Sequence, residues 1–276
     1  MKKIVSLVVA ALVMCSCADS FLSEEPVGEF MPEQVESEEN IEGIVIGAYA
    51  VLDGYYASDA INSGCSNWQF GDVVSDDAYK GGGGTGDQNQ IHLMEIFNAN
   101  PTGIDFEARW AALYEGVKRC NQAIRLLSNS TVKNKEQRLA EMRFLRGHYY
   151  FNLKVIYNLI PWIDETVVDP NEYHTKSNME FTSDQLWEKI LGEFSAAYQV
   201  LPESQSDYGR PTKMAAKAYM AKVYLYQSKW KECLSACDEV IQSGKYTLYP
   251  DFREVFLPEN DNNSEIIFAV QLSIND

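Results

Sequence analysis

Apolar residues recur at helical spacing over most of the chain beyond residue 40. Between Ile41 and Tyr55 they follow the helical period, which predicts a one-sided helix of about four turns that ends near Gly54. Another helix is expected to begin with Thr182 or Ser183 as its N-cap. The same pattern predicts the helices of the rest of the chain over about 106–127, 135–157, 183–201, 212–228 and 231–243.

The last two predicted helices are joined by a short turn at 228–230, as in a tetratricopeptide repeat. The match to the pattern of that repeat is degenerate, but its spacing is right. We therefore expect an all-α fold of tetratricopeptide-like helical repeats with long irregular loops. The positions that fit the repeat are Met220, Ala221, Tyr224, Ser228, Cys233, Cys237 and Val240.

Residues 56–104 break this helical pattern. They lack sustained periodicity and hold many of the glycines of the chain. Five of these glycines lie in the run 81–86 (GGGGTG). A loop of this length inside a compact domain is uncommon and is usually functional or disordered. Two later segments, 245–248 and 265–271, are expected to be short extended pieces.

The first sixteen residues have the pattern of an export signal. Lys2 and Lys3 precede an apolar run, 4–14, that is too short to span a bilayer. A cysteine at the cleavage point is typical of a bacterial lipoprotein, so residues 1–16 are predicted to be the signal peptide and Cys17 the lipidation site. Cys17 is preferred to Cys15 because the residue before Cys15 is a bulky methionine. The alternative is an ordinary cleaved signal with an incidental cysteine pair.

Residues 17–40 are predicted to form an acidic tether. They contain eight Asp or Glu residues and no Lys or Arg, with prolines at 26 and 32. Such a segment repels itself and is extended. The remaining residues, 41–276, are predicted to form the helical domain.

The composition excludes several classes of protein. The 276 residues carry a formal charge of −17, with a pI near 4.6, so the surface repels phosphate backbones and nucleic acid is not expected as a partner. The 5 Trp, 16 Tyr and 12 Phe exceed what a fold of this size hides, which leaves some rings for binding. Trp110, Trp187 and Tyr224 lie on helical faces and are expected in the core, and Trp230 is expected to pack at its helix turn.

Local motifs do not indicate catalysis, a cofactor or a metal. Gly81, Gly83 and Gly86 fit G-x-G-x-x-G, but no β-branched strand precedes them and no helix is predicted from Gly86, so a flexible loop is expected. Cys233 and Cys237 stand four apart on a predicted helix, where core packing is favoured over a metal or redox pair. The three histidines are scattered. Calcium binding and the pairing of Cys65 with Cys120 stay open.

Several stretches, in their order along the chain, resemble the SusD/RagB family of surface lipoproteins of Bacteroidota. The order, rather than any single piece, carries the resemblance. The stretches are 17–26 (CADSFLSEEP), 47–49 (GAY), 71–78 (GDVVSDDA), 110–121 (WAALYEGVKRCN), 141–152 (EMRFLRGHYYFN), 209–226 (GRPTKMAAKAYMAKVYLY), 243–246 (SGKY) and 263–268 (NSEIIF).

The resemblance implies a helical lipoprotein that sits as a lid on a TonB-dependent outer-membrane transporter of the SusC-like kind. Such a protein captures glycans or other nutrients for import, without catalysis. It is expected at the outer membrane, lipid-anchored and exposed at the cell surface. Family members continue well past residue 276, so the chain is expected to correspond to the N-terminal portion, with the C-terminal half absent.

A glycan site is expected to combine aromatic platforms with amides and acids, because sugar rings stack an apolar face on an aromatic ring while their hydroxyls need polar partners. The 56–104 loop offers this mixture, and the corresponding loop of the starch-binding family member helps to form its site. The candidate ligand-binding residues are Asn67, Trp68, Asp77, Tyr79, Gln88 and Asn89.

Two other functions stay open. The first alternative is an exported helical-repeat module that binds a protein partner without ligand capture. The second is an exported glycoside hydrolase, which would need two carboxylates facing each other across a cleft.

Overall fold

The structure is a computed structural model in which residues 38–54, 68–75 and 77–271 are described. The chain divides into a unit of residues Met1–Glu36 and a unit of residues Ser37–Asp276, and all described residues belong to the second. The predicted signal peptide, Cys17, most of the tether, Cys65 and Asn67 therefore lie outside the described residues.

All regular secondary structure of the described residues is helical, which confirms the all-α prediction. Besides the α-helices, the described residues form short helical turns at Ala50–Leu52, Trp68–Asp72, Val73–Ser75, Glu254–Phe256 and Pro258–Asn260. The α-helices are α1 (Glu38–Tyr49), α2 (Asn89–Glu95), α3 (Ile104–Asn129), α4 (Lys135–Tyr157), α5 (Pro170–Tyr173), α6 (Ser183–Val200), α7 (Lys213–Tyr226) and α8 (Trp230–Gln242).

The N-terminus of α6 has the cap that the sequence indicated. Thr182 is the N-cap residue, and its hydroxyl accepts the backbone N–H of Gln185 at 3.3 Å. The Gln185 side chain accepts the backbone N–H of Thr182 at 2.9 Å, which completes a capping box. Helix α2, in contrast, was not predicted, because its seven residues are too few to show a period.

The long helices stack in chain order. Helix α3 packs on α4, α4 on α6, α6 on α7, and α7 on α8, while α1 lies against α3 and α4. This order, in which each helix contacts mainly its neighbours, is that of a helical-repeat protein. It confirms the prediction of tetratricopeptide-like repeats.

Two helical glycines allow the close approach of neighbouring rings. A Cβ at Gly116 on α3 would lie 2.6 Å from the ring of Tyr149 on α4. A Cβ at Gly147 would lie 2.9 Å from the ring of Phe194 on α6. Because real Cβ contacts are longer than 3 Å, these positions need glycine for the helices to pack at this distance.

A buried arginine joins α3, α4 and α6. The side chain of Arg146 is 2% exposed and donates to Glu193 at 2.8 Å, to Asn121 at 2.8 Å and to Glu165. Burial alone lowers the pKa of Arg146, but the Glu193 and Glu165 carboxylates outweigh burial and raise it. The guanidinium therefore stays charged, with its partners around it.

A second group of buried charges, which we call the Glu141 cluster, joins α1, α4 and the turn before α7. The carboxylate of Glu141 is fully buried and accepts hydrogen bonds from Arg138 and Arg210, both at 2.7 Å, and from the Tyr49 hydroxyl at 3.0 Å. Glu42 accepts from Arg138 at 2.8 Å and also from Arg210. Burial first, and then Glu141, raise the pKa of Tyr49, which keeps this hydroxyl as a donor.

The expectations for the tryptophans are met in part. Trp187 is buried, while Trp110 and Tyr224 are half-buried on their helices. The prediction that Trp230 packs at its helix turn is wrong, since the residue is 63% exposed. It shares the outward face of α8 with Leu234, which is also exposed.

The two cysteines of α8 are neither fully buried nor fully exposed. Cys233 and Cys237 are free and half-buried, so the expectation of core packing holds only in part. Burial, and then the neighbouring Cys233 thiol, raise the pKa of Cys237. The buried positions of this helix are Ala236 and Val240.

The first segment expected to be extended contacts Ser264, the residue directly before the second one. The backbone N–H of Thr247 donates to the carbonyl of Ser264 at 3.0 Å, and the Ser264 hydroxyl donates to the Thr247 carbonyl at 3.2 Å. No strand forms in the described part of either segment, since this contact is too short to make a ladder.

Candidate functional site

A small apolar cluster anchors the segment between α1 and α3. Val73, Ile91 and Met94 are buried together. Trp68 packs against this cluster, as do Phe70 and Phe106. The cluster ties α2 and the two short turns before it to the start of α3, so the loops between these elements begin and end at fixed points.

The glycine-rich run forms a turn around a lysine. Lys80 is 8% exposed, and its ammonium donates to the backbone carbonyls of Gly84, at 3.1 Å, and Asp87. The backbone N–H of Gly83 donates to the Asp87 carboxylate at 2.9 Å. Gly81, Gly82 and Gly84 have positive φ, which glycine adopts without strain. The run expected to be a flexible loop is thus a turn closed by hydrogen bonds.

Glu95, at the end of α2, holds the residues before this turn. Its carboxylate accepts the backbone N–H of Lys80 at 3.1 Å and lies 3.2 Å from Nδ1 of His92. The hydrogen bond from the Lys80 backbone, and then that from His92, lower the pKa of Glu95. Because Tyr79 precedes Lys80, this contact places Tyr79 beside the C-terminal end of α2.

Two aromatic rings project into solvent at this end of α2. Tyr79 is 75% exposed and Phe97 is 77% exposed. Phe97 also has a φ of +55°, which is uncommon for a bulky residue and here ends α2, where the backbone N–H of Asn98 donates to the carbonyl of Leu93 at 2.8 Å. Sequence reasoning did not select Phe97. The signal that could have found it is an aromatic residue in the same irregular segment, directly before Asn98 and three residues before Asn100.

The predicted polar residues lie around the same turn. Asp77 is exposed and accepts a hydrogen bond from the Ser75 hydroxyl at 3.2 Å. Gln88 and Asn89 are exposed at the start of α2, where the Asn89 amide donates to the Thr85 carbonyl at 3.0 Å. Trp68 is half-buried against the apolar cluster, so its ring serves packing.

We use the name loop platform for five exposed residues of the segment around α2: Asp77, Tyr79, Gln88, Asn89 and Phe97. It offers two aromatic faces together with a carboxylate and two amides. A sugar ring needs this combination, because its C–H face is apolar and its edge carries hydroxyls. Within the described residues no group of three or more His, Cys, Asp or Glu side chains is placed to hold a metal ion.

We also asked whether a helix could cross a membrane. Among the residues that the structure describes, no helix has the length and apolar content needed to cross a bilayer.

The stacked helices define the class as a helical-repeat protein. Comparison with known families specifies it further. Residues 20–225 match the model of the SusD-like family described as starch-binding and associating with the outer membrane, and the chain belongs to this family. The family resemblance is thereby confirmed, together with the SusD-like fold.

Curated and solved relatives agree with this assignment. SusD-like protein P25 of Formosa agariphila is 23% identical over 98% of this chain and 52% of its own length. The surface glycan-binding protein A of Bacteroides thetaiotaomicron, solved in complex with laminarihexaose, is 30% identical with a TM-score of 0.71, covering 84% of this chain and 49% of its own. A laminarin-binding SusD-like protein is 26% identical with a TM-score of 0.73. The chain spans about half the length of these relatives.

Proposed function

We propose that this protein captures glycans at the outer membrane and does so without catalysis. The observation that carries the proposal is the loop platform, in which one segment of a member of a starch-binding family exposes two aromatic rings, a carboxylate and two amides. The neighbour solved with laminarihexaose and the laminarin-binding neighbour support a glucan as the ligand.

Within the platform each side chain has a role that its chemistry suggests. Tyr79 and Phe97 stack on the C–H faces of sugar rings. Asp77, Gln88 and Asn89 accept from or donate to the hydroxyls. Trp68 supports the platform from behind through the apolar cluster, and Asn67, its neighbour in the chain, remains a candidate for a polar contact.

The same proposal includes a lipid anchor, a position at the cell surface and a transporter partner. Cys17 carries the lipid, the acidic residues before α1 extend from the membrane, and the helical domain begins with α1 at Glu38 at the cell surface. Acyl chains at one cysteine would hold the protein on the membrane, since each buried CH₂ contributes about 0.8 kcal/mol. The captured glycan then passes to a TonB-dependent outer-membrane transporter of the SusC-like kind. Support for this step comes from the family resemblance.

The test is calorimetric titration of the purified protein with laminarihexaose and with maltohexaose. We expect one of them to bind, and we expect Tyr79→Ala and Phe97→Ala each to weaken binding about tenfold, the magnitude of one lost aromatic contact. Phe256→Ala, at another exposed ring, is the matched control and leaves affinity unchanged. Hydrolysis of either glycan by the protein would contradict the non-catalytic part of the proposal.

A further inference from the structure

An open cleft lies between α3 and the segment that runs from α4 into α5. Its volume is about 370 Å³, which is at the lower end of the range of about 300–1,000 Å³ for small-molecule sites. The rings of Trp110 and Tyr114 on α3 and of Tyr173 on α5 line it, and Glu115 and Lys118 contribute charged groups. It shares no lining residue with the loop platform.

The inner wall of this cleft, which we call the α3 cleft, is mostly apolar and includes the rings of Trp110 and Tyr114. The Tyr114 hydroxyl donates to the carbonyl of Pro161 at 2.7 Å. The amide of Asn121 donates to the carbonyl of Ile163 at 3.0 Å and accepts from Arg146 at 2.8 Å. Because these polar groups already have protein partners, an occupant must turn an apolar face to this wall.

The charged groups of the cleft are of both signs. One oxygen of Glu115 accepts from Arg119 at 2.9 Å, while the other lies 4.0 Å from the ammonium of Lys118, too far for a hydrogen bond. Lys118 is itself exposed. A carboxylate oxygen and an ammonium at this spacing suit a neutral ligand with hydroxyl groups, which can donate to the first and accept from the second. A ligand with a single charge would be attracted by one of the two and repelled by the other.

An occupant with one apolar face and a hydroxylated edge is a sugar ring. We propose that the α3 cleft is a second saccharide site, which takes the end of a neutral oligosaccharide with its ring against Trp110 and Tyr114 and its hydroxyls on Glu115 and Lys118. The proposal rests on the proposed function only for the class of ligand. Its residues and geometry are independent of the loop platform.

Ala111 allows a test that leaves the aromatic wall intact. It is exposed and lines the cleft, so Ala111→Trp fills the cleft without disturbing the helix packing. Ser128→Trp places the same ring at an exposed position of α3 outside the cleft and is the matched control. Thermal melting of both variants, followed by circular dichroism, checks that they remain folded.

The variants are titrated with laminarihexaose and maltohexaose, in the wild type and in the double variant Tyr79→Ala, Phe97→Ala. In the double variant we expect residual binding, which Ala111→Trp weakens at least about tenfold and Ser128→Trp leaves unchanged. Residual binding that Ala111→Trp does not alter overturns the second site, and so does the absence of residual binding. If wild-type binding is insensitive to the Tyr79 and Phe97 changes but is lost in Ala111→Trp, the α3 cleft stands and the loop platform fails. If wild-type protein binds neither glycan, both proposals fail.

Discussion

The Glu141 cluster provides a sharp test of how this fold is held together. We consider Glu141→Gln, which keeps the shape of the side chain and removes its charge. Arg138 then retains the carboxylate of Glu42, and Arg210 retains those of Glu42 and Asp207. The amide also has an N–H₂ group, which cannot accept from the arginines or from the Tyr49 hydroxyl.

The size of the effect follows from burial. The Glu141 carboxylate is fully buried, and the side chains of Arg138 and Arg210 are each only 14% exposed. Removing one partner from a buried ion pair costs about 3–5 kcal/mol, because the remaining charge stays desolvated. For a domain of this size each 1 kcal/mol corresponds to about 2–4 °C, so the melting temperature should fall by roughly 6–20 °C.

Urea unfolding followed by circular dichroism measures this cost. Glu136→Gln makes the same chemical change at an exposed position of α4, so it is the matched control, with an expected effect within about 0.5 kcal/mol. A double-mutant cycle of Glu141→Gln with Arg210→Met should show a coupling energy of about 1 kcal/mol or more. If Glu141→Gln is as mild as Glu136→Gln, the cluster does not hold α1 and the turn before α7 to α4, and this reasoning is refuted.

Three further predictions follow from other contacts. Gly116→Ala places a methyl group 2.6 Å from the Tyr149 ring and should lower the free energy of unfolding by about 1–3 kcal/mol, whereas Gly43→Ala, where no atom lies within 4 Å, should not lower it through a clash. Burial, and then Arg109 and Lys222, lower the pKa of His148 to about 3. As the pH falls below about 6.5, the imidazole is protonated in the unfolded state before it is protonated in the folded state. The free energy of unfolding should therefore drop by about 2 kcal/mol between pH 7 and pH 5. His148→Gln should remove that increment from the pH dependence of the urea midpoint, and an unchanged dependence would exclude His148 as its source. Lys80→Met removes the donor to the Gly84 and Asp87 carbonyls and should speed proteolysis between residues 81 and 88, while Lys133→Met, at an exposed site, leaves the rate unaltered.

The helices could be predicted from the sequence because their apolar faces are long enough to show the period. The N-cap of α6 could also be predicted, since Thr182 and Gln185 have the spacing of a capping box. Helix α2 could not be predicted, because only Ile91 and Met94 are buried in its seven residues.

The Glu141 cluster could not be predicted for a different reason. Its members are far apart in the chain, with Arg210 69 residues from Glu141, and only the fold brings them together.

The candidate site was predictable in composition but not in arrangement. The mixture of Asp77, Tyr79, Gln88 and Asn89 in one irregular loop indicated a binding surface. The role of Lys80 depends on a turn whose closure the glycine pattern alone does not reveal. Phe97 joins the candidate residues because its ring is exposed, and this exposure is not visible in the residue order.

Binding of a glycan by the loop platform is the central claim, and one titration tests it most directly. Laminarihexaose and maltohexaose are each titrated into the wild-type protein and into the Tyr79→Ala, Phe97→Ala double variant. We expect binding of at least one glycan by the wild type, weakened about a hundredfold in the double variant if the two aromatic contacts contribute independently. Equal affinity of the two proteins for the same glycan, or binding of neither glycan by the wild type, would contradict the claim.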